Sequence, residues 1–237
     1  MRFFDTRAKK TVLLCAVAAF FAAEAVLGFL LQTADAYADH YRYAAVLLAC
    51  LFCVTFASRS PAYFLTQAAL LCTVGADWFL VMSEPREQLP AMIFFLGTQL
   101  SYFLRLYFED TSRVRRRVHL YVRVGVSAFA LLLTWAVLGE RCDALALVSV
   151  LYYAHLILNL TFAFLQTGVS FFSVGLLFFL LCDTVVGLSC IDPYLPIPAD
   201  SPLRRLLSPG FDLVWAFYVP SQALLSVSLL RERFRKK

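Results

Sequence analysis

"LLCTVGADWFLVM", residues 70–82, sets one carboxylate, Asp77, inside a run that otherwise reads as lipid-facing helix. Later in the chain "LFFLLCDTVVGL", residues 177–188, repeats the arrangement with Asp183. An ionised carboxylate at the centre of a membrane helix costs about 2.5–3.5 kcal/mol even on the lenient insertion scale. Two aspartates in matching settings therefore need a reason. They either hold helices together by hydrogen bonds or belong to a functional site.

The surrounding composition is that of a membrane protein. Of 237 residues, 61% are hydrophobic and 16% are charged, whereas a soluble domain is nearer half apolar and a quarter charged. The expected architecture is all-α, a single domain over residues 1–237. The net charge of +5 does not point to nucleic acid, because Lys and Arg cluster in short connections and at the ends, as in cytoplasmic loops. Cys15, Cys50, Cys53, Cys72 and Cys182 lie in apolar runs and read as packing residues. Cys142 and Cys190 fall on one side of the expected topology, which is compatible with a disulfide. The first 25 residues resemble a signal peptide, with Ala-x-Ala at Ala23 to Ala25. The apolar run continues to Leu31, however, about 20 residues and enough to span the bilayer. A retained first helix is expected.

Eight apolar segments can be cut out, at about 11–31, 43–57, 63–82, 89–109, 118–138, 143–165, 169–189 and 211–230. Ser60 and Pro61 read as an N-cap and first helical residue, and "TGVS", 167–170, as a tight connection. The five-proline stretch 190–210 reads as a non-helical cap or a short interfacial piece around Leu203 to Leu207. With the N-terminus inside, fourteen of the 21 Lys and Arg residues fall on the inner side, Arg59 and the "RVRRR" of 113–117 among them. Arg105 and Arg123 are placed near inner helix ends. The expectation is a polytopic membrane bundle of eight transmembrane helices with both termini cytoplasmic. The third and fourth segments ("GADWFL", "FFLGTQLSY") echo the seventh and eighth ("LCDTVVG", "FYVPSQALLS"). That echo fits a parallel four-helix repeat or a short coincidence.

Asp77 stands five residues and Asp183 six residues before the outer ends of their segments, about 7–9 Å deep at 1.5 Å per residue. Gln99 and Gln222 lie near the middle of the segments that follow. Tyr102 is one turn from Gln99 and Tyr218 one turn from Gln222. Pro220 frees a carbonyl between them. Together these make a polar chamber in the outer half of a bundle. Glu24 either lines that chamber or stands apart from it. His155 and Asn159, four apart on one helix face, lack the second ligand pair that a zinc site needs. No nucleophile-elbow, zinc-protease or phosphate-loop motif is present.

At these residues the sequence resembles a known family. "VGADWFL" (74–80), "FFLGTQLSYFL" (94–104), "GLLFFLLCDTVVGL" (175–188) and "FYVPSQALLSVS" (217–228) are together similar to the YhhN family of integral membrane proteins, whose characterised members are lysoplasmalogenases. Gln99 stands where many members carry His. An amide does not exchange a proton at neutral pH, so no acid–base role is carried over to it. The resemblance implies a lysophospholipid substrate and hydrolysis of its vinyl ether. A proton adds to the vinyl carbon, water attacks the oxocarbenium ion, and the hemiacetal collapses to a fatty aldehyde and a glycerophospho-alcohol. Two carboxyls of unlike protonation suit that task, as in glycosidases. Asp77 and Asp183 are the implied catalytic pair. Gln99, Tyr102, Tyr218 and Gln222 are the implied binding residues. No metal or organic cofactor is called for.

Two other readings stay open from the residues alone. A proton-coupled or lipid transporter fits a parallel repeat with polar groups at depth, although few Gly or Pro residues interrupt the segments. A non-catalytic membrane partner protein would use the aspartates for folding alone. Short loops and the lack of long hydrophilic tails favour a bacterial inner membrane and leave an endoplasmic reticulum membrane open, with membrane lipids as the other contacts.

Overall fold

The computed structural model describes residues 7–33, 37–55, 60–198, 200–207, 211–228 and 230. These residues are all-helical, with no strand among them. The helices are α1 (Arg7–Thr33), α2 (Ala38–Thr55), α3 (Pro61–Asp77), α4 (Gln88–Glu109), α5 (Arg113–Leu138), α6 (Ala144–Thr167), α7 (Phe171–Cys190), α8 (Pro202–Leu207) and α9 (Leu213–Val227). A π-helical turn, Trp78–Met82, extends α3, and a 3-10 turn, Gly139–Arg141, ends α5. Six of these stretches are long and apolar enough to cross a membrane: those of α1, α3, α4, α5, α6 and α7. Helix α9 is shorter, and α2 carries Asp39, His40 and Arg42 in its first turns. The chain is a multi-pass membrane protein.

Local chemistry sets the helix ends. Ser60 is the N-cap of α3 with Pro61 at the first helical position. Asp143, Ser170 and Asp212 cap α6, α7 and α9 by accepting backbone N–H bonds, and Ser170 forms a reciprocal capping box with Ser173. Gly168 ends α6 at φ +62°, a left-handed backbone that glycine adopts without a Cβ penalty. The proline-rich stretch after α7 holds the short α8 over Pro202–Leu207. Helix α2 starts at Ala38, several residues before the apolar segment expected at 43, because its polar first turns cover the end of the bundle instead of lying in a loop. Cys142 and Cys190 are free thiols. Arg59 lies outside the described residues.

Six helices, α2–α3–α4–α6–α7–α9, close into a ring, since α9 packs back on α2. Helix α1 lies outside against α2 and α9. Helix α5 lies outside against α6, with Arg116 and Arg123 reaching Tyr107 and Phe103 of α4. The neighbour relations of α1–α4 are repeated by α5, α6, α7 and α9 in the same order. The two tightest pairs, α3–α4 and α7–α9, are the echoed segments. Both use small residues at the contact, as membrane helices do without a hydrophobic driving force between them. Thr73 and Thr98 hydroxyls meet at 3.3 Å between α3 and α4. Ser221 donates to the Gly175 carbonyl at 2.9 Å between α9 and α7.

Arg105 lies one turn before the end of α4, near a helix end as expected, while Arg123 lies deeper in α5, and both are buried. Arg105 donates to Thr66 and Ser228 hydroxyls and lies over the Phe172 ring. Arg123, on the third turn of α5, donates to Asn159 at 2.6 Å, bonds His155 at 3.0 Å and covers the Phe103 ring at 4.2 Å. Hydrogen bonds and ring faces take the place of water around each guanidinium. With Arg123 on Nδ1 and Ser127 near Nε2, both nitrogens of His155 are engaged in this network.

Two stability measurements check this packing. A Cβ on Gly175 would stand 2.8 Å from Leu225 Cγ and 3.2 Å from the Leu225 backbone nitrogen, whereas one on Gly187 meets nothing within 4 Å. Gly175→Ala should cost about 1–3 kcal/mol by overpacking, and Gly187→Ala should be neutral, by thermal unfolding in detergent. Equal effects would contradict the α7–α9 contact. Asp110, between α4 and α5, accepts from the Ser112 N–H at 2.8 Å and from Arg115 Nε at 3.1 Å. Burial opposes its charge, but those donors hold the carboxyl below the usual carboxylate range. Its stabilising contribution is present at neutral pH and is lost as pH falls through the lowered value. Asp110→Asn should therefore be less stable than wild type at pH about 7, and the gap should close towards pH about 3.

Candidate active site

The π-helical turn Trp78–Met82 begins right after Asp77. Such turns re-aim side chains and recur at functional sites. Asp77 is buried, at 3% exposure, and its Oδ2 accepts a hydrogen bond from the Tyr218 hydroxyl of α9 at 2.7 Å. Asp183 on α7 is half-buried, and its Oδ2 accepts from the Tyr152 hydroxyl of α6. Both carboxyls line one cleft of about 160 Å³, with Phe95, Cys182, Trp215 and Tyr218 among the other lining residues. One wall is aromatic. Phe95 contacts Tyr152 and Phe179, and Phe179 and Trp215 contact Tyr218, at centroid distances of 5.1–6.0 Å. At the mouth stand Asp39, Arg42 and Arg86.

The structure brings Asp77, Asp183 and Tyr218 together. The other three expected binding residues lie elsewhere in the ring. Gln99 is fully buried and accepts from Asn159 Nδ2 at 2.9 Å. Tyr102 is fully buried with its ring against Phe172. Gln222 is buried one turn beyond Tyr218 on α9. None of these three lines the cleft. Glu24 stands apart as well, in an apolar groove between α1 and α9 beside Pro220.

Sequence reasoning missed Tyr152, Trp215, Asp39, Arg42 and Arg86. A tyrosine pair within the apolar run of α6 was the one signal for Tyr152. Asp39 and Arg42 read as loop residues because α2 begins earlier than its hydropathy shows, and Arg86, which does lie in the connection between α3 and α4, carries no local sign of which cleft it borders.

The YhhN family model matches residues 37–229. The chain belongs to the YhhN family. No curated protein and no solved structure matches it. The matched span of this YhhN protein runs from α2 to the end of α9 and contains both aspartates and both tyrosines.

If the tyrosine holds the carboxyl, the two should be energetically coupled. Tyr218→Phe should cost about 1–3 kcal/mol by leaving buried Asp77 without its donor. The Asp77→Asn/Tyr218→Phe double variant should lose less than the sum of the single losses. Strict additivity in thermal unfolding would show that the bond carries no weight.

Proposed function

We propose that this YhhN protein hydrolyses the vinyl ether bond of lysoplasmalogens, with Asp77 and Asp183 as the catalytic carboxyls. The observation that carries this reading is that two carboxyls, each fixed by a tyrosine hydroxyl, face one cleft with an aromatic wall. The reaction needs one carboxyl that carries a proton and one that is ionised. The first delivers its proton to the vinyl carbon and creates an oxocarbenium ion on the ether carbon. The second stands against that cation, as do the faces of the aromatic wall. It then takes a proton from the water that attacks. The resulting hemiacetal breaks its bond to the glycerol oxygen, which leaves as the alcohol, and a fatty aldehyde forms. The tyrosines orient the carboxyls by holding one oxygen of each, which leaves the other oxygen for chemistry.

In the same reading α2 and α9 also cross the membrane. That makes eight spans with both termini cytoplasmic, and the protein lies in a bacterial inner membrane. A substrate with one tail enters from the leaflet, with its head at the depth of the cleft. The matched neighbour relations of the two helix sets also favour a second reading, a transporter built from a parallel repeat. Uptake of intact lipid into sealed vesicles, without chemical change, would be its signature.

Aldehyde release decides between them. Detergent-purified wild type should release fatty aldehyde from lysoplasmalogen and leave the acyl-ester analogue intact. Asp77→Asn and Asp183→Asn should each lower the rate by a factor of about 10²–10⁴, with gel filtration unchanged. Full activity in both variants would remove the aspartates from the chemistry.

A further inference from the structure

The mouth of the cleft is a four-charge cluster gathered from three parts of the chain. Arg42 of α2 donates to Asp39 Oδ1 and to Asp212 Oδ2, each at 2.6 Å. Arg86, from the connection between α3 and α4, donates to Asp39 Oδ2 at 2.6 Å. Arg42 is largely covered, with Trp215 of the cleft wall under its guanidinium at 5.8 Å. Arg86 is 60% exposed and uses one terminal nitrogen for Asp39. The rest of its fork is free to bind among the described residues. Asp39, Arg42 and Arg86 line the same cleft as Asp77 and Asp183.

Guanidinium forks match the geometry of phosphate and bind it through two parallel hydrogen bonds. An exposed ion pair such as Arg86–Asp39 contributes little to stability, so a phosphate can take the place of Asp39 at small cost. The carboxyls at depth repel an anion and keep it at the mouth. Asp77 lies five residues before the end of the π-helical turn, about 6 Å down, since the wider π turn rises less per residue than the 1.5 Å of an α-helix. That spacing is of the order of a glycerol backbone with its phosphoester oxygen.

We propose that Arg86 and Arg42 bind the phosphate of a single-chain phospholipid, and that Asp39 is the internal competitor which the phosphate displaces. This deepens the proposed function and rests on its reading of the cleft as a lipid site. Charge at the mouth then selects the phosphorylated lipid over its phosphate-free counterpart and orients the head outward.

Binding to the full chain in detergent tests this without any hydrolysis. The probes are a saturated 1-O-alkyl lysophospholipid, which cannot react, and the matching 1-O-alkylglycerol. Arg86→Gln should weaken the lysophospholipid roughly tenfold, the loss of one charge-assisted contact, and leave the alkylglycerol unchanged. Asp39→Asn should tighten the lysophospholipid alone, because its competitor is gone. A purely structural cluster would make both variants weaken both ligands equally, and that result would overturn the proposal. So would wild type binding the two probes alike. Displacement of the lysophospholipid by inorganic phosphate at equal concentration would make this a free-anion site and overturn the lipid assignment. Wild type that prefers the phosphorylated probe but releases no aldehyde from a vinyl ether would sink the hydrolase reading and leave this one standing.

Discussion

Holding two carboxyl groups inside an apolar bundle is the constraint on which the rest of the structure depends. An ionised carboxylate costs about 2.5–3.5 kcal/mol at membrane depth, and each of the two accepts a hydrogen bond from a tyrosine hydroxyl in place of water. The bond from Tyr218 to Asp77 joins α9 to α3, and the bond from Tyr152 to Asp183 joins α6 to α7. The second joins two consecutive helices, but the first exists only if the ring of six helices closes and brings α9 back to α3. Closure depends in turn on close approach at Gly175 and on small hydroxyl residues between α3 and α4. The cleft is what remains between the carboxyls, the aromatic wall and the charges at the mouth.

The two halves share neighbours without sharing chemistry. Counting back four residues from each echoed glutamine gives Phe95 in α4 and Tyr218 in α9, and both line the cleft. Tyr218 can donate a hydrogen bond to a carboxyl and Phe95 cannot. Asp183 takes its donor from α6 instead. The matched glutamines are both buried, but Gln99 accepts from Asn159 while Gln222 lies inside α9 one turn below the tyrosine. A shared frame with unlike residues at matched places would give two carboxyls different surroundings, as a reaction using one acid and one base requires.

The helical segments were legible because hydropathy is a local property. A run of apolar residues seeks burial or lipid wherever it lies in the chain, so α3, α4, α6 and α7 could be read from composition and length. The aspartates were legible for the complementary reason, since a charge in such a run is costly. Arg42 and Asp39 were not, because polar first turns look like loop until the helix is seen to carry them across the bundle end. Arg123 misled in the opposite sense. Its charge reads as a marker of the membrane surface, but ring faces and an asparagine carry it into the interior.

By itself the sequence determined an all-helical membrane protein, the family to which it belongs, and the two carboxyls most in need of explanation. Only the tertiary structure decided which groups meet them. Asp183 and its tyrosine are separated by 31 residues, and Asp77 and its tyrosine by 141. No local pattern links positions so far apart. Their meeting is set by which helix faces pack together and how closely small residues let the backbones approach, and that is a property of the closed ring.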